Sequence, residues 1–93
     1  MIIGTIRAEV HVPNAQSLKD KRSVIKSLKD QLRGRFNIAV AEVEPNEKWQ
    51  RACVGIVTVG DERAYVDGVL AQVVAALRSN PLITLITLEQ ECW

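Results

Sequence analysis

Apolar and polar residues alternate along the first dozen positions of the chain. From Ile2 to Val12 every second side chain is apolar or small, and the intervening ones include Arg7, Glu9 and His11. Because successive side chains of a strand point to opposite faces, the alternation predicts a strand with one covered face and one more polar face. Pro13 cannot donate to a sheet ladder and marks the end of that strand.

A helical period replaces the alternation between Ser17 and Arg35. Ser17, with Asp20 three residues later, resembles a capping box and predicts the start of a helix, whereas Gly34 predicts its end. Four apolar residues share one narrow arc of the helical wheel, and this arc is expected to dock on the core. They are Leu18, Ile25, Leu28 and Leu32.

The remaining sequence predicts three further strands and a second helix. The strands run from Phe36 to Glu44, from Trp49 or Gln50 to Val59, and from Leu82 to Glu89. Turn residues between the first two of these indicate a hairpin. The second helix is capped by Gly60-Asp61, runs through Ser79 and buries an apolar stripe. That stripe comprises Val66, Val69, Leu70, Val73 and Leu77.

The orientation of the second predicted strand stays open. Phe36, Ile38 and Val40 have the same parity as Glu42 and Glu44. Either a bulge changes the parity, or the face of the sheet away from the helices is partly apolar. If the three apolar residues lie on that open face, a second copy of the chain is expected to cover them in a sheet-to-sheet homodimer.

The predicted elements follow the order β-α-β-β-α-β in a chain of 93 residues. With right-handed crossovers in both halves, this order predicts an α+β, ferredoxin-like sandwich, in which a four-stranded antiparallel sheet carries two helices on one face. A chain of this length makes a single domain, residues 1–93, and 47% hydrophobic residues suffice for its core. No stretch resembles a signal peptide or a membrane span, so a cytoplasmic protein is expected.

Positive charge is concentrated in the first helix. Residues 17–35 carry seven of the twelve Lys and Arg residues and two acidic ones, in a chain whose net charge is only +1. Five of these cations recur every three or four residues beside the apolar arc and predict a nucleic-acid-binding row, unless they only keep the helix soluble. They are Lys19, Arg22, Lys26, Lys29 and Arg33. Lys21 lies nearer the docked face, and its amine is expected to reach solvent.

The predicted hairpin tip places an aromatic residue among cations. Lys48, Trp49 and Arg51 are candidate nucleic-acid-binding residues, because a tryptophan there can stack on a base. The alternative is that Trp49 covers the edge of a core or an oligomer interface. Glu44 is expected opposite Arg51 as a cross-strand ion pair.

No catalytic or metal-binding constellation is visible, and the sequence predicts neither an enzyme nor a cofactor. His11 has no Ser or Cys partner, and Cys53 and Cys92 are far apart, the first expected to be buried and the second exposed. The loop V-P-N-A-Q lacks the glycines and arginine with which acylphosphatases of this architecture bind phosphate. The central strands also lack the aromatic residues on which RNA-recognition motifs stack bases.

Three segments resemble, in this order and spacing, the small bacterial YlxP-like proteins. They read S-L-K-D-K-R-S-V-I-K-S-L, R-F-N-I-A-V-A-E-V-E and W-Q-R-A-C-V-G-I, and the resemblance covers nearly the whole chain. It implies a ferredoxin-like, single-domain cytoplasmic protein without an established activity or defined catalytic residues. Genes of that family often neighbour those for translation initiation and ribosome maturation factors, which implies a role near ribosomal RNA.

Two functions are expected from these observations. The first is a non-enzymatic accessory protein that binds RNA or a ribosomal subunit through the basic first helix, with shape supplying any selectivity. The alternative is a protein-interaction or small-molecule regulatory module, similar in architecture to ACT-type domains, that acts through an apolar sheet face.

Overall fold

Four strands and two helices follow one another in the predicted order. The computed structural model describes all 93 residues. Its elements are β1 (Ile2–His11), α1 (Leu18–Arg35), β2 (Ala39–Val43), β3 (Arg51–Gly60), α2 (Arg63–Ser79) and β4 (Thr84–Cys92). The strands form one antiparallel sheet in the order β2-β3-β1-β4, which leaves β2 and β4 at the edges. The α+β, ferredoxin-like arrangement is therefore confirmed.

The core lies between the two helices and one face of the sheet. The central strands β1 and β3 pair Ile6 with Ile56 and Ala8 with Val54, and all four side chains are buried. Gly4 allows α2 to approach β1 closely, since a Cβ there would lie 2.6 Å from Val66 Cγ1. Neither helix is long and apolar enough to cross a membrane.

Helix α1 begins at the predicted cap and ends later than predicted. Ser17 Oγ accepts a hydrogen bond from the Asp20 backbone N–H at 3.0 Å, and Asp20 Oδ2 accepts one from the Gln16 N–H at 3.0 Å. The prediction that Gly34 ends the helix is wrong, because the helix runs through Arg35. It ends where Phe36 adopts an extended conformation and packs against the core, and Gly34 does not take the left-handed backbone of a helix-terminating glycine.

The three large apolar residues Phe36, Ile38 and Val40 lie on the helix side of the sheet. Val40 lies opposite Ile56 and Glu42 opposite Val54, with no bulge in the register. Phe36, Ile38 and Val40 pack against the core, so the premise that they lie on the open face is wrong. Of the two alternatives, the partly apolar open face is the correct one. Its β2 residues are Ala39, Ala41 and Val43.

Several further boundaries differ from the sequence prediction. Strand β2 spans Ala39–Val43 instead of Phe36 to Glu44, and β3 runs from Arg51 to Gly60 instead of ending at Val59. Helix α2 begins at Arg63 rather than directly after Gly60-Asp61, because Gly60 still belongs to β3. Strand β4 starts two residues later than predicted and runs three residues further, to Cys92. A register shift opposite Glu9 and Val10 places a bulge in β4, and the polar residues at its end hide the strand from a hydrophobicity pattern.

Candidate nucleic-acid interface

Five cations form a row along the solvent side of α1, named here the basic stripe. Its members are Lys19, Arg22, Lys26, Lys29 and Arg33, of which only Lys29 is half-buried. One of the five has an ion pair, because Lys26 Nζ lies 3.4 Å from Asp30 Oδ2 one turn further on. At a rise of about 1.5 Å per residue the stripe is roughly 21 Å long. Four of its charges are free to meet a polyanion.

Lys21 does not belong to the basic stripe, and its amine does not reach solvent as expected. The residue is 2% exposed and lies in the docked arc of α1. Its Nζ donates hydrogen bonds to the backbone oxygens of Asn46 and Arg51, at 3.0 and 3.1 Å, and to Asn46 Oδ1 at 3.2 Å. An ammonium group has three protons, so these oxygens satisfy it completely. Lys21 therefore fastens the loop between β2 and β3 to α1.

The hairpin residues line a cavity at the end of β1, named here the corner cavity. Its volume is about 750 Å³. Trp49 is 55% exposed, Lys48 forms no ion pair, and the Arg51 guanidinium pairs with the Glu9 carboxylate. The lining residues are His11, Lys48, Trp49, Gln50, Arg51, Thr84 and Ile86.

The loop that carries Trp49 is held from two sides. Gln50 Nε2 donates to the backbone oxygens of Pro13 and Ala15, at 3.2 and 3.1 Å, and the Gln50 backbone oxygen accepts from the Val12 N–H at 2.8 Å. Lys21 holds the other part of the loop. Side-chain hydrogen bonds thus tie the loop that carries Trp49 to the segment after β1 and to α1.

The eight predicted site residues occupy two surfaces rather than one. The basic stripe lies on the helix layer, and none of its residues lines the corner cavity. Lys48, Trp49 and Arg51 come together there with His11, which belongs to the open face of the sheet. The structure therefore keeps both groups of predicted residues and separates them into two candidate sites.

The centre of the open sheet face carries ion pairs across the strands. The Arg7 guanidinium pairs with the Glu44 carboxylate and lies 3.9 Å from Glu89 Oε1, so the predicted pair between Glu44 and Arg51 is wrong. Glu44 has a left-handed backbone, with φ of 50°, which ends the alternation of β2 and brings its carboxylate to Arg7. The hydrogen-bonded carboxylate of Glu44 raises the pKa of the Arg7 guanidinium.

One corner of the open face is apolar. Val57 and Val59 of β3 are 44% and 47% exposed, and Ala39 and Ala41 of β2 are exposed beside them. Backbone hydrogen bonds of 2.8 Å pair Trp93 with Ile3 on the other side of β1. This corner lies at the opposite end of the sheet from the corner cavity, because Val59 pairs with Ile3 near the start of β1 and Arg51 pairs with His11 at its end.

The comparisons with known proteins agree with the resemblance seen in the sequence. Residues 3–90 match the family described as Protein of unknown function (DUF503). The chain belongs to this family. It is also similar to the uncharacterized protein YlxP of Bacillus subtilis (strain 168), with 33% identity over 82 residues that span 88% of this chain and 89% of that protein. The YlxP-like resemblance is thereby confirmed.

The cysteines of this DUF503 domain are both free thiols. Cys53 is buried, as expected, whereas Cys92 is half-buried and packs against the core instead of being exposed. Burial raises the pKa of the Cys53 thiol, and the carboxylates of Glu44 and Glu89 raise it further against the opposing charge of Arg7. No three His, Cys, Asp or Glu side chains lie together as ligands for a metal ion.

Sequence reasoning missed part of the corner cavity and the role of Lys21. His11, Gln50, Thr84 and Ile86 complete the cavity, and they come from three separate segments of the chain. The pairing of His11 with Arg51 on one side and Thr84 on the other brings these segments together. No local pattern reports that register, so only the alternation that places His11 on the open face was available as a signal.

Proposed function

We propose that this protein is a non-enzymatic RNA-associated accessory protein that binds phosphate groups through the basic stripe. The observation that carries the proposal is one row of five cations, four of them exposed and one half-buried, with a single ion pair. Unpaired cations at regular spacing release counterions from a polyanion when they bind it, which is the main source of affinity in sequence-independent nucleic-acid binding. The two acidic residues of the segment pair with only one cation of the row, because Asp20 accepts a hydrogen bond from the Gln16 N–H and forms no ion pair, and Asp30 pairs with Lys26 alone.

The ribosome is the proposed setting of this binding. The YlxP-like resemblance implies a place near ribosomal RNA, and double-stranded RNA is recognised mainly through its shape and its phosphates. A straight row of cations on a rigid helix suits that mode, since it contacts a backbone without reading base edges. The proposal therefore predicts duplex RNA binding with little sequence preference in a cytoplasmic protein.

The salt dependence of binding tests the proposal directly. Four or five phosphate contacts predict that log affinity for a labelled RNA duplex falls with log salt at a slope of roughly −3 to −5. Fluorescence anisotropy across a series of potassium chloride concentrations measures this slope. A slope near zero, or no binding at low salt, contradicts the proposal and leaves the basic stripe as a solvated helix face.

The apolar corner of the open face favours a second candidate function, protein interaction through a homodimer. Val57 and Val59 are nearly half exposed, and Ala39 and Ala41 beside them let a partner surface approach closely. A second copy of the chain, packed sheet to sheet, buries this corner against its own equivalent. Light scattering at tens of micromolar tests it, since a monomer mass removes this candidate. Val57→Lys is expected to return a dimer to the monomer.

A further inference from the structure

The corner cavity combines an aromatic wall with an unneutralised cation. Trp49 exposes half of its surface into it, and Lys48 next to Trp49 forms no ion pair. The charge of Arg51 is already met by Glu9, so Lys48 supplies the free positive charge of the site. With a volume of about 750 Å³ the cavity is a broad depression open to solvent, which leaves the face of the Trp49 indole accessible to a stacking ligand.

The wall that holds Trp49 is built as a fixed element. Lys21 and Gln50 tie the loop to α1 and to the segment after β1, through five hydrogen bonds of 3.0–3.2 Å made by their side chains. Glu44, at the start of the same loop, holds a left-handed conformation and is paired with Arg7. Strained backbone and buried polar groups that over-determine one loop conformation are typical of binding sites, where they remove the cost of ordering.

We infer that the corner cavity binds one unstacked nucleotide of single-stranded RNA. An exposed indole stacks on any unpaired base, and the neighbouring ammonium of Lys48 contacts the phosphate of the same nucleotide. Thr84 and His11 offer a hydroxyl and an imidazole to the edge of the base or to the ribose. Lys21 is a positioning residue, because it acts on the ligand only through the loop it holds. The inference rests on the proposed function and extends it, because the corner cavity is a second, separate site that binds single-stranded RNA.

Separation of the two surfaces gives each a different substrate preference. The basic stripe contacts phosphates only and accepts a duplex, whereas a base that is paired and stacked in a duplex cannot enter the corner cavity. A protein that uses both surfaces at once binds RNA where a duplex meets an unpaired strand. A duplex probe therefore reports on the basic stripe alone, whereas quenching of Trp49 by a single-stranded probe reports on the corner cavity.

Tryptophan fluorescence tests the inference in the intact chain. Trp93 lies at the far end of β1 from the cavity, so Trp93→Phe leaves Trp49 as the sole tryptophan. An oligouridylate of about ten nucleotides is expected to quench Trp49, and an RNA duplex of equal length is not. Trp49→Ala is expected to weaken oligouridylate binding by roughly 5- to 150-fold and to leave duplex binding unchanged. Trp93→Ala, which removes an indole of similar exposure, is the matched control and changes neither.

Lys21→Met tests the positioning role with a readout that a loss of stability does not move. Met keeps most of the volume and loses the three hydrogen bonds of the amine. At a temperature where the variant is folded, the ratio of oligouridylate to duplex affinity is expected to fall and the emission maximum of Trp49 to shift. An unchanged ratio and an unchanged maximum overturn the positioning role of Lys21.

Three results separate failure of this inference from failure of the proposed function. If oligouridylate binds by anisotropy without quenching Trp49, and Trp49→Ala binds it equally, the corner cavity is not a nucleotide site and the basic stripe accounts for binding. If the duplex does not bind while oligouridylate still quenches Trp49, the stripe fails and the cavity stands. If neither probe binds, both proposals are overturned.

Discussion

The buried residues of the two helices have the same spacing along the chain, whereas the residues that face solvent differ in charge and size. The buried residues of α1 are Lys21, Ile25, Leu28 and Leu32, and those of α2 are Val66, Leu70, Val73 and Leu77. The intervals of four, seven and eleven residues are identical, so both helices meet the core through the same face geometry. Outward, α1 carries the basic stripe, whereas the middle of α2 is lined by small and neutral residues.

The buried residues of the two helices are all apolar except at the first position of α1, where Lys21 corresponds to Val66 of α2. Val66 packs where Gly4 lets α2 approach β1, and Lys21 occupies the equivalent position of α1 with its amine bonded to the loop between β2 and β3. A buried ammonium without its three acceptors would cost several kcal/mol, so the loop conformation and the lysine depend on each other. The buried residues of α2 are all apolar, whereas α1 also organises the loop of the corner cavity through Lys21.

The largest expected effect tests whether the buried residues of the two helices contribute equally to the free energy of unfolding. Ile25→Ala and Leu70→Ala remove side chains at matching positions, and each is expected to lower the free energy of unfolding by roughly 2–5 kcal/mol through lost burial and a cavity. Chemical denaturation of the two variants measures both costs. A difference larger than about 2 kcal/mol between them breaks the comparison, because one helix then contributes far less to the core than the other.

A smaller effect on the free energy of unfolding is expected at Lys21, where the buried residues of the two helices differ. Lys21→Met leaves the carbonyl oxygens of Asn46 and Arg51 without a donor, and we expect it to destabilise the fold by roughly 1–3 kcal/mol. Denaturation of this variant measures the cost. If Lys21→Met is instead more stable than the wild type, the hydrogen bonds of the Lys21 amine do not offset the cost of removing its charge from water. Lys21 would then be kept for the loop and not for stability.

The glycines within the helices give a third, opposite effect. A Cβ at Gly34 of α1 or at Gly68 of α2 meets nothing within 4 Å, and neither residue has a left-handed backbone. Gly34→Ala and Gly68→Ala are therefore each expected to stabilise the protein, by about 0.5–1 kcal/mol, with the smaller gain at Gly34 near a helix end. Thermal unfolding detects the shift. Destabilisation by Gly34→Ala would mean that the end of α1 needs the glycine after all.

The sequence predicts α1 better than any other part of the candidate sites, because its signals are local. Residues three and four apart indicate the basic stripe and most of the docked arc, although Lys21 and not Leu18 is the buried residue of its first turn, and the cap needs only Ser17 and Asp20. The boundary at Gly34 fails because Gly34 does not adopt the left-handed backbone of a helix-terminating glycine. The corner cavity fails for a different reason, since its walls depend on the register of three strands and on partners of Lys21 that are 25 and 30 residues away.

The smallest expected change in stability is also the one that separates function from folding. Arg22 and Lys26 are exposed, so Arg22→Glu combined with Lys26→Glu touches no core residue. Each surface change is expected to alter stability by no more than about 0.5 kcal/mol. Loss of the pair between Lys26 and Asp30 accounts for roughly 0.2–0.5 kcal/mol of it. RNA duplex affinity, by contrast, is expected to fall sharply, because two phosphate contacts become repulsive.

Helix α2 supplies the matched control for this variant. Arg63→Glu combined with Arg78→Glu makes the same change in net charge and also removes one ion pair, that between Arg63 Nε and Asp67 Oδ1 at 3.3 Å. Both double variants are compared by thermal unfolding and by anisotropy with a labelled duplex. If only the α1 variant loses the duplex, the basic stripe binds RNA by its position and not through overall charge. If the two variants lose affinity equally, binding follows net charge alone, and the difference between the helices has no functional meaning.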